Sequence, residues 1–185
     1  SSSSWTTVTL QNMYQRMVAV CTIKMENNTL PQVIRMQNAS GNSLQIRLQN
    51  PSGSTLVGEQ VMCLVAEVGT WRLPDGRSFE AQQVVSIKED RPYSWYGDQV
   101  NYNNSYTNPV VLGQVMTYND ARWSTFWSHG TGPDPRREPA NSAIFVGKSV
   151  AEDPALERAD ETLGFMVFEA GSGTVAGVPY QINLG

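Results

Sequence analysis

The apolar residues of this chain come in short runs that suit β-strands. Runs of apolar, β-branched or alternating residues are separated by Asn, Gly, Ser and Pro. In the first half of the chain they span residues 5–10, 17–25, 31–37, 43–49, 60–68 and 81–88. Strict alternation over residues 44–49 places Leu44, Ile46 and Leu48 on one buried face. Such short, regularly spaced strands predict an all-β fold, either a sandwich or a barrel.

One turn carries a clear chemical signal. Pro74 presets one backbone dihedral angle and Gly76 can supply a positive φ, so the sequence Leu-Pro-Asp-Gly suits a β-turn. We therefore expect residues 70–72 and 77–79 to form a β-hairpin.

The most informative feature is an internal repeat. Blocks of residues recur in the same order with their apolar positions in phase, at offsets that grow from 92 to 102. The matching blocks include 17–23 with 109–115, 42–46 with 141–145, and 59–69 with 161–171. The repeat predicts two antiparallel β-sandwiches of about six strands each, one over residues 1–91 and one over residues 92–185.

The segment that joins the two copies is rich in aromatic residues. Residues 91–108 hold Tyr93, Trp95, Tyr96, Tyr102 and Tyr106. Exposing all of these rings would cost about 25 cal/mol per Å² of apolar surface, so we expect a packed connector and an interface between the copies.

A single short helix is expected, over residues 153–158. Asp153 can cap its first turn and Pro154 suits the first helical position.

Composition and charge exclude several classes of protein. The chain has 40% hydrophobic and 16% charged residues, which is too apolar for a disordered protein, and no apolar run is long enough to span a membrane. The net charge is -4, with 8 basic and 7 acidic residues up to residue 92 and 5 basic and 10 acidic residues after it. No basic stripe is available for nucleic acid or for an anionic membrane.

Cysteines and the chain start bear on the compartment. Cys21 and Cys63 each sit in an apolar run, and the sequence leaves open whether they form a disulfide or remain two buried thiols. Sequons begin at Asn27, Asn38 and Asn103. The chain opens on four serines without Met, as expected for a module that follows a flexible linker in a larger exported protein.

The densest group of candidate binding residues lies in the second copy. If residues 123–129 form a strand, Trp123, Trp127 and His129 share one face, and the repeat places Phe126 at the position of Ile34, toward the core. Aromatic rings can stack on the apolar face of a sugar while polar groups bind its hydroxyls. The candidate polar groups are Asn119, Asp120, Arg122, Arg136 and Arg137. The alternative is that the rings pack against the first copy or the connector.

Catalysis has little support in the residues. The chain has one histidine, no Gly-x-Ser-x-Gly motif and no Cys or His spacing typical of a transition-metal site, so we predict that it is not an enzyme. Glu67 and Glu169 could form a glycosidase pair, but their equivalent positions favour a shared structural role at a strand end. No cofactor is expected. A structural calcium ion stays open, bound either by Asn119 and Asp120 or by acids 152, 153, 160 and 161.

The repeated blocks resemble the H-type lectin β-sandwich and related repeats of large exported microbial proteins. In this sequence the resemblance is carried by residues 17–23, 33–40, 46–49 and 59–69, and again by residues 109–115, 144–148 and 161–171. It implies a small antiparallel sandwich of about six strands per copy, often extracellular, with glycan binding in some members. That family's sugar-binding residues do not map onto this chain one by one.

These observations favour a non-catalytic carbohydrate-binding or adhesive module of a secreted protein, with a glycan or polysaccharide as partner. Two alternatives remain: a structural or assembly domain whose aromatic surface is a protein–protein interface, as in a homo-oligomer, and an enzyme that acts on polysaccharides. Near-complete burial of Trp123 and Trp127 would favour the assembly domain.

Overall fold

The computed structural model describes residues 3–90, 97–131, 137–151, 153–155 and 157–184. Within these ranges the regular structure consists of β-strands, which confirms the predicted all-β class. In chain order the strands are β1 (Thr6–Tyr14), β2 (Met17–Lys24), β3 (Val33–Gln49), β4 (Gln60–Glu67), β5 (Gly69–Arg72), β6 (Ser78–Ser86), β7 (Asp98–Asn101), β8 (Pro109–Val115), β9 (Thr125–His129), β10 (Ala143–Ser149), β11 (Glu161–Glu169), β12 (Gly171–Val175) and β13 (Val178–Ile182).

The strands form several small antiparallel sheets. Two sheets hold most of the second half: one has the order β7-β10-β9 and the other the order β5-β6-β11-β8. The remaining pairs are β1 with β3, β2 with β4, and β12 with β13. Strand β6 precedes residue 91 but pairs with β11, so one sheet draws strands from both sides of the predicted boundary. The division of the chain at residue 91 itself stays a prediction.

Two strand pairs have the same register. Met17 lies opposite Glu67 in the pair β2 and β4, and Pro109 lies opposite Glu169 in the pair β8 and β11. The sequence blocks align Met17 with Pro109 at an offset of 92, and Glu67 with Glu169 at an offset of 102. The residues paired in the first half are therefore the counterparts of those paired in the second. The sequence repeat therefore coincides with a repeated strand pairing.

A third block requires a correction of one residue. Thr6 lies opposite Ile46, and Asp98 lies opposite Val146, so this block follows an offset of 100 and the predicted offset of 99 is wrong. With the corrected offset, buried Leu44 and Ile46 match buried Ile144 and Val146. A shift of one residue would send each side chain to the opposite face of the strand.

The core has two clusters. The first contains Val18, Leu44 and Ile46 from the first half together with Met166 and Phe168 from β11. The second lies between the two larger sheets and consists of the side chains of Tyr102, Tyr106, Val115, Ile144, Val146, Leu163, Phe165 and Val167. The connector residues Tyr102 and Tyr106 are thus buried, whereas Tyr93, Trp95 and Tyr96 lie outside the described residues.

The structure confirms the predicted hairpin but not the predicted helix. The hairpin is confirmed, because Trp71 lies opposite Phe79 and Gly76 has a φ of 87° in the turn. The helix over residues 153–158 is wrong, because its described residues adopt no helix. Asp153 accepts a hydrogen bond from the Ala155 N–H and also from the buried guanidinium of Arg158, which holds the segment in its irregular path.

The two cysteines form a disulfide. Cys21 on β2 and Cys63 on β4 lie directly opposite each other, with their Cα atoms 4.0 Å apart. The disulfide therefore joins the two neighbouring strands β2 and β4. The alternative of two buried thiols is wrong, since Cys21 is only partly buried and Cys63 is exposed.

Replacing both cysteines with serine should lower the free energy of unfolding by about 4 kcal/mol, from the loop entropy of a 42-residue separation. Equilibrium urea unfolding would measure the change, and the wild-type protein in reductant should match the variant. An unchanged urea midpoint in the variant would contradict this expectation.

Candidate functional site: an aromatic face on the second half

The outer face of the sheet β7-β10-β9 carries aromatic rings. Phe126 on β9 packs against the second core cluster, as the sequence predicted. Because side chains alternate along a strand, Trp127 and the core-facing Phe126 point to opposite sides of the sheet. His129 follows two residues later on the same side as Trp127, opposite Phe145 of β10. This side of the sheet, with Trp127, His129 and Phe145, is called the aromatic face below.

The rings of the aromatic face contact one another. The centroids of Trp127 and His129 are 4.8 Å apart, and those of His129 and Phe145 are 5.0 Å apart with nearly parallel planes. Gly147 lies opposite Trp127, and a Cβ atom there would approach the indole Cε3 to 3.2 Å. Trp127 thus packs closely over Gly147, where a side chain would crowd the indole.

Exposure differs among the three rings. His129 is only 2% exposed, whereas Trp127 and Phe145 are partly buried. The imidazole is therefore covered, and Trp127 and Phe145 are the rings that solvent can reach. Since Trp123 and Trp127 are both only partly buried, the near-complete burial expected of an interface within the chain is not met.

Polar groups border the aromatic face. Gln99 on β7 lies opposite Phe145, and Asn101 lies two residues further along the same strand, so both amides point to the same side of the sheet. Both residues are exposed. Arg137 lies beyond the other edge strand, β9, where its carbonyl accepts a hydrogen bond of 2.7 Å from the N–H of Gly130, next to His129. Arg136 lies outside the described residues.

The other predicted site residues lie elsewhere, around the buried carboxylate of Glu161. The backbone N–H groups of Asn119 and Asp120 donate to Glu161 at 3.1 and 3.0 Å. The carboxylate of Asp120 in turn binds the guanidinium groups of Arg122 and Arg158. Burial alone would raise the pKa of Asp120, but the hydrogen bonds from Arg122 and the charge of Arg158 hold it well below its usual range.

Arg35 brings the first half of the chain into this cluster. Its guanidinium is fully buried, 2.9 Å from the carbonyl oxygen of Asp120 and 3.5 Å from the carboxylate of Glu161. The Tyr118 ring lies 4.6 Å from the Arg35 Cζ. Residues Arg35, Asp120, Arg122, Arg158 and Glu161 are called the ionic cluster below. It connects the two halves of the chain.

Trp123 belongs with the ionic cluster rather than with the aromatic face. It precedes β9, and its carbonyl accepts a hydrogen bond of 3.2 Å from Arg158. The predicted site is therefore divided: the structure brings together Trp127 and His129, with Arg137 nearby, and it places Asn119, Asp120, Arg122 and Trp123 at the ionic cluster. Sequence reasoning missed Phe145 and Gln99, since only strand pairing places them beside β9.

Repeated glutamates clamp loops in both halves. Glu67 accepts the backbone N–H groups of residues 15 and 16, and Glu169 accepts those of residues 107 and 108, which lie 92 positions later. Both carboxylates thus hold the backbone at a strand end, as the sequence predicted. Glu59 likewise accepts the N–H groups of Asn27 and Asn28, the counterparts of Asn119 and Asp120 at Glu161.

Among the described residues, no group of three or more His, Cys, Asp or Glu side chains is arranged to hold a metal ion. In the same part of the chain, no helix is long and apolar enough to cross a membrane. Of the acids considered for calcium, Asp120, Asp153 and Glu161 all pair with arginine, and Glu152 lies outside the described residues.

Comparison with protein-family models, curated proteins and solved structures found no match to this chain.

Replacing Arg35 with methionine should destabilise the protein by roughly 3–5 kcal/mol, because Glu161 would keep a buried charge without this partner. Arg122→Met is the matched control: the Arg122 side chain is 37% exposed, and its loss should cost no more than about 1 kcal/mol. Urea unfolding would measure both variants. Equal losses in the two would show that Arg35 has no special role.

Acid should weaken the protein through Glu59. Burial alone would raise the pKa of Glu59, but hydrogen bonds from the N–H groups of residues 26–28 lower it from 4.5 to about 2. The carboxylate therefore stabilises the fold above pH 4.5, and this contribution is lost as the pH falls toward 2. The free energy of unfolding, measured against pH, should fall less over this interval in Glu59→Gln than in the wild type. The exposed Glu26→Gln should keep the wild-type slope, and an identical slope in all three proteins would contradict the assignment.

Proposed function

We propose that this chain is a non-catalytic carbohydrate-binding module of an exported protein, and that a sugar binds on the aromatic face. The observation that carries this proposal is the set of contacting rings Trp127, His129 and Phe145 on the outer side of a sheet. Sugars present an apolar face of C–H groups, and partly exposed aromatic rings bind such faces well. Trp127 and Phe145 provide the stacking surface, while buried His129 fixes their spacing.

Polar side chains around the rings would select the sugar. Gln99 and Asn101 offer amide donors and acceptors next to Phe145, and Arg137 offers a cation near the end of β9. This mixture of a few polar groups around an apolar surface is typical of small-molecule sites.

We further infer that residues 1–91 and 92–185 are two copies of one sandwich unit, similar to the H-type lectin sandwich. The equal registers of β2 with β4 and of β8 with β11 support this inference. The paired glutamate clamps support it too, because Glu67 and Glu169 hold corresponding loops. The copies differ at the aromatic face: Arg35, which joins the ionic cluster, stands at the position of Trp127. Only the second copy would therefore bind a glycan there.

Export to an oxidising compartment is part of the same proposal. The Cys21–Cys63 disulfide is compatible with it, because disulfides persist mainly outside the cytosol.

Replacing Trp127 with alanine should weaken glycan binding at least about tenfold, because the main stacking surface is lost. Gln99→Ala should weaken it roughly two- to tenfold, as expected for one lost hydrogen bond. A glycan array followed by calorimetry on the best ligand would measure these changes.

Trp71→Ala provides the control, since this tryptophan is 43% exposed on β5 and lies outside the aromatic face. It should bind as the wild type does. Absence of binding to any glycan, or equal binding by Trp127→Ala and Trp71→Ala, would refute the proposed site.

A further inference from the structure

Among the described residues, strand β4 lacks a neighbour that its counterpart has. Strand β11 is paired on both sides, with β6 on one side and β8 on the other. Strand β4, which matches β11 at the offset of 102, is paired with β2 on one side. On its other side no strand pairs with it in the described part of the chain.

The sequence of β4 is that of a strand buried on both faces. Residues 61–66 are a continuous apolar run, as in a strand covered on both sides. Yet Met62 is 54% exposed and Leu64 is 47% exposed. Their counterparts Gly164 and Met166 are buried in β11. The apolar surface of β4 thus matches a covered position but is uncovered here.

The free edge of β4 presents backbone hydrogen-bonding groups. Cys21 and Cys63 lie opposite each other with a Cα separation of 4.0 Å, which identifies a narrow pair without mutual hydrogen bonds. The N–H and C=O of Cys63 therefore point away from β2, and by alternation so do those of Val61 and Val65. The disulfide fixes β4 to β2 and keeps this edge in place.

The matching donor strand is β13. Hairpin β12–β13 follows β11 as hairpin β5–β6 follows β4, and each begins at a glycine with positive φ, Gly69 (149°) and Gly171 (143°). Gly69 lies opposite Ala81 of β6, and Gly171 lies opposite Ile182 of β13. Residues 180–182 of β13 therefore correspond to residues 79–81 of β6, which pair with β11. Pro179 corresponds to Ser78, which lies just before the first residue of β6 that pairs with β11. The N–H that Pro179 lacks is therefore not needed for the corresponding pairing of β13.

Within one chain, β13 and β4 do not pair. An apolar pocket of about 550 Å³ is lined by Leu64 of β4, Leu112 of β8 and Val178 and Ile182 of β13. Val178 is 65% exposed and Leu112 is 43% exposed. An exposed apolar surface beside a free strand edge is typical of an interaction site.

We propose that β13 of one copy of this chain pairs antiparallel with β4 of a second copy, as β6 pairs with β11 within the chain. In this register Ile182 lies opposite Leu64, Gln181 opposite Val65 and Tyr180 opposite Ala66. The proposal rests on the inferred duplication and not on glycan binding. Each chain offers both a donor strand and an acceptor edge, and both line the same pocket. Two copies can therefore exchange β13 reciprocally in a closed dimer, or successive copies can continue as a ring or a filament.

Disulfide trapping tests the register. Leu64→Cys and Ile182→Cys are made on separate chains and mixed under mild oxidation, so that any bond between the two positions joins two molecules. We expect a mixed disulfide dimer, identified by mass spectrometry with Cys21–Cys63 intact. Met62→Cys with Ile182→Cys is the register control, and Leu64→Cys with Thr174→Cys, on the exposed part of β12, is the position control. Yields at least several-fold lower are expected in both controls, and equal yields would overturn the proposal.

Proline at Val65 tests the strand addition without new cysteines. Its N–H faces the free edge, so Val65→Pro should keep the fold, checked by its circular dichroism and melting temperature, and lose association. Light scattering coupled to size exclusion should show that the mass of the wild-type protein rises with concentration, whereas the variant remains at the monomer mass of 20.4 kDa. A wild-type protein that stays at the monomer mass, or a folded variant that associates equally well, would overturn the proposal. Either result leaves the Trp127→Ala glycan test unaffected.

Discussion

The pairing of β6 with β11 is the interaction on which the rest of the structure depends. It runs from Phe79 opposite Phe168 to Ser86 opposite Glu161, across the middle of the chain. It gives β11 a neighbour on each edge, and it places β11 between the two core clusters. Phe165 and Val167 point into one cluster, whereas Met166 and Phe168 point into the other. This explains why β11 is apolar at successive positions rather than at alternate ones.

A second constraint acts at the ends of the strands, where backbone N–H groups need acceptors. Glutamate carboxylates meet this need at matching places. Buried Glu59 and Glu161 hold the loops that follow β2 and β8, and partly buried Glu67 and Glu169 hold the residues that precede these strands. At Glu161 the clamp has gained the buried cation Arg35 from the first half. A loop clamp thus also serves as the electrostatic link between the halves, and the aromatic face lies on the other side of the neighbouring sheet.

Much of this architecture can be predicted from local patterns. The Pro74-Asp75-Gly76 turn defines its hairpin because it uses local backbone chemistry. The repeated apolar blocks indicate which strands correspond in the two halves, but not which strands pair. The block around Leu44 was misaligned by one residue, because the turns that precede it differ in length and the pattern of apolar residues tolerates the slip. The helix at residues 153–158 failed because Arg158 forms buried ion pairs that no local propensity reveals. The pairing of β6 with β11 could not be predicted either, because the partner of a strand depends on residues far away in the sequence. For the same reason, Trp127 could be placed on a face but Phe145 and Gln99 could not be placed beside it.

The central claim is that the two halves repeat one strand arrangement and differ in one respect: β11 has β6 as a second neighbour, whereas the corresponding edge of β4 is free in the described part of the chain. Hydrogen exchange tests this claim most directly. The amides of Phe165 and Val167 in β11 and of Cys63 and Val65 in β4 occupy matching positions. Measured by NMR on dilute protein, the first two should exchange slowly, because β6 accepts their hydrogen bonds, and the second two should exchange much faster, because their edge is free. Equal protection at the matching positions would contradict the account.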